Sequence, residues 1–121
     1  MRVLVVEDDR MIAKGLHTLH PDWTQVEAVN ADEAVELVKT SEIDITIVDF
    51  NMPGRDGLAL AAELRERKPT MPVAVMSANH QTEIVNQSHL SGATFLSKPV
   101  TLDALAAFLT DAVSRLKAGG R

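Results

Sequence analysis

Short apolar runs alternate with amphipathic stretches along the chain. "RVLVV" (Arg2 to Val6) is rich in β-branched residues and almost continuously apolar, the pattern of a strand buried on both faces of a parallel sheet. "ITIVDF" (Ile45 to Phe50) and "PVAVM" (Pro72 to Met76) repeat it. "QVEAV" (Gln25 to Val29) alternates instead and "TFLS" (Thr94 to Ser97) is short, so these two are expected at the sheet edges. Between the runs, Ile12, Leu16 and Leu19 fall at i, i+4, i+7, and Leu102, Leu105, Leu109, Val113 and Leu116 keep three-to-four spacing over Thr101 to Lys117. Each set predicts a helix with one apolar stripe. Asn30 with Glu33 has the form of a capping box ahead of "ADEAVELVK", and Thr101 with Asp103 supplies an N-cap and a first-turn acid for the last helix. Weaker patterns predict helices over Leu58 to Arg67 and Glu83 to Leu90.

The expected fold is therefore α/β: a flavodoxin-like, doubly wound, five-stranded parallel sheet with helices on both faces. Ligands of such sheets bind beyond the carboxyl ends of the strands, where strand order reverses. Glu7, Asp8 and Asp9 leave the first strand, Asp49, Phe50 and Asn51 the third, Ser77, Ala78 and Asn79 the fourth, and Lys98 and Pro99 the fifth. If the order is 2-1-3-4-5, the first and third strands are neighbours and Glu7, Asp8 and Asp49 converge. Two carboxylates about 5 Å apart repel by about 3 kcal/mol at an effective dielectric near 20. Lys98 offsets one charge, and a hard divalent cation with oxygen ligands, Mg²⁺ above all with Mn²⁺ as an admissible substitute, would offset the remainder.

Composition narrows the classes. A chain of 121 residues is the size of one domain, expected over 1–118, with 119–121 as a flexible end. "AGGR" suits either a linker to a missing output domain or a terminus. No apolar run approaches the roughly 18 residues of a membrane helix, and Met1 leads straight into a strand without a basic region, so a cytoplasmic protein without membrane contact is expected. Cysteine is absent, which removes disulfides, thiolate nucleophiles and Cys-based metal sites. A net charge of −5 argues against direct nucleic-acid binding, which needs a clustered basic face.

Four segments in order, "VLVVEDD", "IVDFNMPGRDG", "VMSA" and "GATFLSKP", resemble the receiver domains of two-component response regulators, and the likeness covers essentially the whole chain. The resemblance implies that Asp49 is a phosphoacceptor taking a phosphoryl group from a phosphohistidine on a histidine kinase or histidine phosphotransfer protein. It implies Mg²⁺ bound by Glu7, Asp8, Asp49 and the backbone carbonyl of Asn51, with Ser77 and Lys98 contacting the phosphoryl group. The family often carries Asp where Glu7 stands, so this longer side chain would act through water. Ser77 and Phe95 match the switch residues, and the Lys98–Pro99 peptide is a candidate for the cis form in a tight turn. Output would pass to a downstream protein or a missing output domain, and homodimerisation is left open.

Taken singly, each of these residues has a plainer reading: Asp49 as a turn residue, Glu7 and Asp8 as a solvated loop, Lys98 as a surface lysine, Ser77 as a helix cap, Phe95 as core. Asp9 and Asp56 keep the solvated reading. His17 and His20 stand three apart without a third ligand in sequence, His80 and His89 read as surface, and "NQS" at Asn86 lacks the secretory context of a glycosylation site. An Asp-nucleophile phosphohydrolase of the haloacid dehalogenase type would carry its nucleophile on the first motif strand and an acid where Asn51 stands. A flavin-binding module would need a Ser/Thr/Gly-rich phosphate loop in place of "EDDRM". A receiver that only docks, without taking phosphate, would not need Glu7, Asp8, Asp49, Ser77 and Lys98 together.

Overall fold

In a computed structural model, residues 1–6, 10–50, 57–78, 86 and 92–118 are described. Strand β1 (Arg2–Val6) is followed by α1 (Arg10–Leu19), β2 (Thr24–Ala28), α2 (Ala31–Thr40), β3 (Ile45–Asp49), α3 (Gly57–Arg67), β4 (Val73–Ser77), β5 (Thr94–Ser97) and α4 (Leu102–Ala118). The strands form one sheet of order β2-β1-β3-β4-β5, with every neighbouring pair parallel. β2 and β5 are its edges, as their alternation and shortness predict. The helix expected over Glu83 to Leu90 lies outside the described residues apart from Asn86.

The continuous apolar runs are explained by burial on both faces. In β3, Val48 joins a core formed with Ala31, Ala34 and Val35 of α2 and Leu60, Ala61 and Leu64 of α3. Ile45 and Ile47 join the opposite core with Ile12 and Leu16 of α1 and Leu105, Phe108 and Leu109 of α4. A one-residue slip would exchange these two sets of side chains between the faces, so register is strongly specified. α1 and α4 meet closely: a Cβ on Gly15 would stand 2.9 Å from Leu105 Cδ2.

Element ends have local causes. The cap forms in a shifted version of the expected box: Asn30 Oδ1 accepts from Glu33 N at 2.8 Å, while Glu33 Oε1 accepts from Val29 N, one residue before the N-cap, at 3.3 Å. Because Val29 N is directed to the cap and its side chain is exposed, β2 ends at Ala28, one residue earlier than the pattern predicts. Pro72 takes part in the sheet only as an acceptor, from Thr46 N at 3.0 Å, because it has no N–H; β4 begins after it. Thr101 Oγ1 caps α4 by accepting from Ala104 N at 3.1 Å. At the amino end of the sheet, Thr24 N donates to Met1 O at 2.9 Å, and Trp23 just before it stacks on His20 with ring centroids 3.6 Å apart. No helix is long and apolar enough to cross a membrane among the described residues.

Candidate functional site

Three polar residues are fully buried among those described: Thr46, Asp49 and Ser77. Thr46 is satisfied inside the core, its hydroxyl donating to Met71 Sδ at 3.3 Å. Asp49 and Ser77 are different, because each is the last residue of a central strand. A buried carboxylate is expensive unless it is paired, and Asp49, 1% exposed, forms an ion pair with Lys98. The partners are 49 positions apart in sequence. The sheet brings them together: Asp49 is in register with Met76 of β4, Ser77 of β4 with Ser97 of β5, and Lys98 comes next.

The backbone fixes this meeting point. Lys98 N donates to Ser77 O at 2.9 Å, and Phe50 N donates to Met76 O at 2.8 Å, so the ladder continues one residue past β3 and β5. The Lys98–Pro99 peptide bond is cis. Lys98 keeps 29% of its side chain exposed, so its amine faces Asp49 while water still reaches it. Phe95 lies three residues upstream of Lys98, half-buried and paired with Val75 of β4. Gly57 opens α3 against this backbone, its N–H donating to Phe50 O at 2.9 Å. In the hydrophobic pattern Gly57 carries no signal beyond closing the turn motif.

Of the residues expected from sequence, Asp49, Ser77, Lys98 and Pro99 are thus gathered at the carboxyl ends of β3, β4 and β5, with Phe95 inside β5. Glu7, Asp8 and Asn51 lie outside the described residues, as do Asp9, Asp56, Asn79, His80 and His89. Among the described residues no group of three or more His, Asp or Glu side chains is assembled. The donor set nonetheless fits Mg²⁺ in kind: Asp49 presents carboxylate oxygen at the rim, and the sequence following Val6, which pairs with Val48, carries three more carboxylates, Glu7, Asp8 and Asp9. Hard oxygen donors in excess over one lysine are what this cation takes.

The response regulator receiver domain family model matches residues 3–110. The chain belongs to this family. Among solved structures, the receiver domain of Francisella response regulator 1452 is 30% identical with a TM-score of 0.80, over 95% of this chain and 98% of that one. A two-component response regulator from Clostridium difficile superposes with a TM-score of 0.83 at 20% identity, over 96% of this chain and 98% of that chain, a likeness of fold. The transcriptional regulatory protein PdtaR of Mycobacterium tuberculosis is 33% identical over 120 residues, 96% of this receiver domain and 58% of that protein. A cyclic di-GMP phosphodiesterase of Thermotoga maritima is 34% identical over 116 residues, 93% of this chain and 31% of that protein. The receiver domain thus spans well under two thirds of these two relatives.

Proposed function

We propose that this receiver domain accepts a phosphoryl group on Asp49 from a phosphohistidine of a histidine kinase or histidine phosphotransfer protein. The observation that carries the proposal is the buried Asp49 carboxylate at the end of β3, held against the Lys98 ammonium at the open rim of the sheet. A structural carboxylate at this depth would add nothing that an apolar side chain could not supply. An Asp49 oxygen forms the new P–O bond while the donor's P–N bond breaks and its electron pair returns to the imidazole. Lys98, already at the carboxylate, is placed to neutralise charge on the phosphoryl oxygens, and the Ser77 hydroxyl to hydrogen-bond them, so catalysis is positioning and electrostatics. Glu7, Asp8, Asp49 and the Asn51 carbonyl would hold Mg²⁺, which when bound offsets charge on the nucleophile and the transferred group. Hydrolysis returns Asp49 and inorganic phosphate, without multiple turnover on a free substrate.

Access for a protein donor is supported by the surface beside Lys98. A cleft of ≈ 340 Å³ is lined by Met11, Ile12, Ala78, Lys98, Pro99 and Val100. One of ≈ 230 Å³ shares Met11, Ile12 and Val100 with it and continues to Leu102. Met11 is 75% and Leu102 47% exposed, an apolar surface suited to a donor helix whose phosphohistidine reaches Asp49. For output, Ser77 moving towards the phosphoryl oxygens would free space for Phe95 and alter the surface around β5 and α4, read by a downstream protein or an output domain. Moving a 1:99 equilibrium to 99:1 needs about 5.5 kcal/mol of differential interaction.

The test is intact-protein mass after incubation with acetyl phosphate, with and without Mg²⁺, for the wild type and Asp49→Asn. The expected outcome is the mass gain of one phosphoryl group in the wild type with Mg²⁺ only. No gain from acetyl phosphate or from a phosphorylated kinase would refute the reading and leave a docking receiver.

A further inference from the structure

The close approach of Gly57 to the Asp49 backbone does more than cap the fold. A Cβ added at Gly57 would stand 2.5 Å from Asp49 O, 2.7 Å from Phe50 Cα and 3.0 Å from Asp49 C. All three are backbone atoms, so no rotamer change can relieve the overlap. The same peptide is held by β4, since Phe50 N donates to Met76 O at 2.8 Å, and the following carbonyl is held by Gly57 itself, whose N–H donates to Phe50 O at 2.9 Å. The linkage from Asp49 to Phe50 is therefore clamped between β4 and the first residue of α3. Asp49 is the last residue of β3, and the ladder that fixes the earlier residues from both sides thins out there.

We infer that Gly57 is a positioning residue for Asp49: the missing side chain lets α3 press on the Asp49–Phe50 backbone and so sets where the carboxylate meets Lys98. This rests on the phosphoacceptor reading of Asp49. Any side chain at position 57 must displace either the start of α3 or the Asp49 carbonyl, and both movements reach the carboxylate through one residue of backbone. Misplacement of a reacting group by about 1 Å can slow a reaction by on the order of a hundredfold. Gly15 supplies the contrast. Its added Cβ would also be crowded, at 2.9 Å, but only by the end of the Leu105 side chain, which can turn aside without moving backbone.

The experiment compares the wild type, Gly57→Ala and Gly15→Ala in two readouts: the initial rate of mass labelling by acetyl phosphate with Mg²⁺, and the Asp49 side-chain ¹³Cγ chemical shift without phosphate. Gly57→Ala is expected to label about tenfold to a hundredfold more slowly and to move the Asp49 signal, while Gly15→Ala leaves both near wild type. If Gly57→Ala is not folded by circular dichroism, both measurements are made in trimethylamine N-oxide at the concentration restoring its wild-type spectrum. Wild-type labelling by Gly57→Ala overturns the inference, and so does an equal slowing in Gly15→Ala with the Asp49 signal unmoved. If the wild type itself takes no phosphate, the phosphoacceptor reading fails separately, and the chemical shift alone decides whether Gly57 positions Asp49: an unmoved signal overturns it.

Discussion

Lys98 enters the site in two separable ways, through an amine paired with Asp49 and a backbone N–H bonded to Ser77 O. Lys98→Ala removes only the first. The ladder between β4 and β5 stays intact, so the variant is expected to fold. Taking the ammonium from a carboxylate that is 1% exposed would cost 3–5 kcal/mol in a sealed core, but Lys98 is 29% exposed, and water screening reduces the expected loss to about 1 kcal/mol. Labelling by acetyl phosphate should fall by on the order of a hundredfold, as on removing one donor to developing charge. A urea titration and a labelling time course check the two magnitudes independently. The pairing was legible in sequence only through the strand ends, because nothing local to "SKP" or "VDF" announces a partner 49 positions away. Gly57 was not legible at all: a distance between backbones is absent from any pattern of residue types.

At the scale of elements, the three central strands were legible because each must be apolar over its length to lie between two helical layers, the edge strands by alternation and shortness, and the end of β2 shifts where one backbone group is diverted. Val29 is such a case, its N–H bonded to Glu33 Oε1 instead of continuing β2. Helix α2 shows its cap in sequence and in structure alike. Asn30→Ala removes the acceptor of Glu33 N and should lower unfolding free energy by about 1 kcal/mol. Denaturant unfolding checks it. The labelling rate is expected to stay near the wild-type value, since α2, which packs on β1, β2 and α3, supplies no described group to the Asp49 rim. A large loss of labelling in this variant would mean that the rim depends on α2 in a way its contacts do not explain.

The described residues form two cores, one on each face of the sheet, with the Asp49–Lys98 pair at the carboxyl rim. A ligand that binds only the folded rim stabilises the entire fold through mass action. Mg²⁺ at a hundredfold excess over its dissociation constant is expected to add about 2.7 kcal/mol, seen as a rise in Tm that EDTA reverses and Asp49→Ala diminishes. Thermal denaturation across a Mg²⁺ series checks this, and an unchanged Tm would count against the proposed ligand set. Fold and chain topology were readable in the sequence because alternation of strand and helix permits few arrangements. The contents of the rim needed the family resemblance as well, since charge convergence by itself asks for a cation without saying what the carboxylate does.

The stacked pair of Trp23 and His20 gives the protein an optical property. Trp23 is the chain's single tryptophan, and tyrosine is absent, so near-ultraviolet emission comes from one indole. It lies at the amino end of β2, while Asp49 ends β3 at the other end of the sheet, with a strand's length of about 3.3 Å per residue between them. Fluorescence is therefore expected to report loss of the fold, with chemistry at Asp49 reaching the indole only through the core that Trp23 packs against. Emission and mass labelling, recorded on one sample, separate a variant that has lost its structure from one that has lost only its reactive geometry.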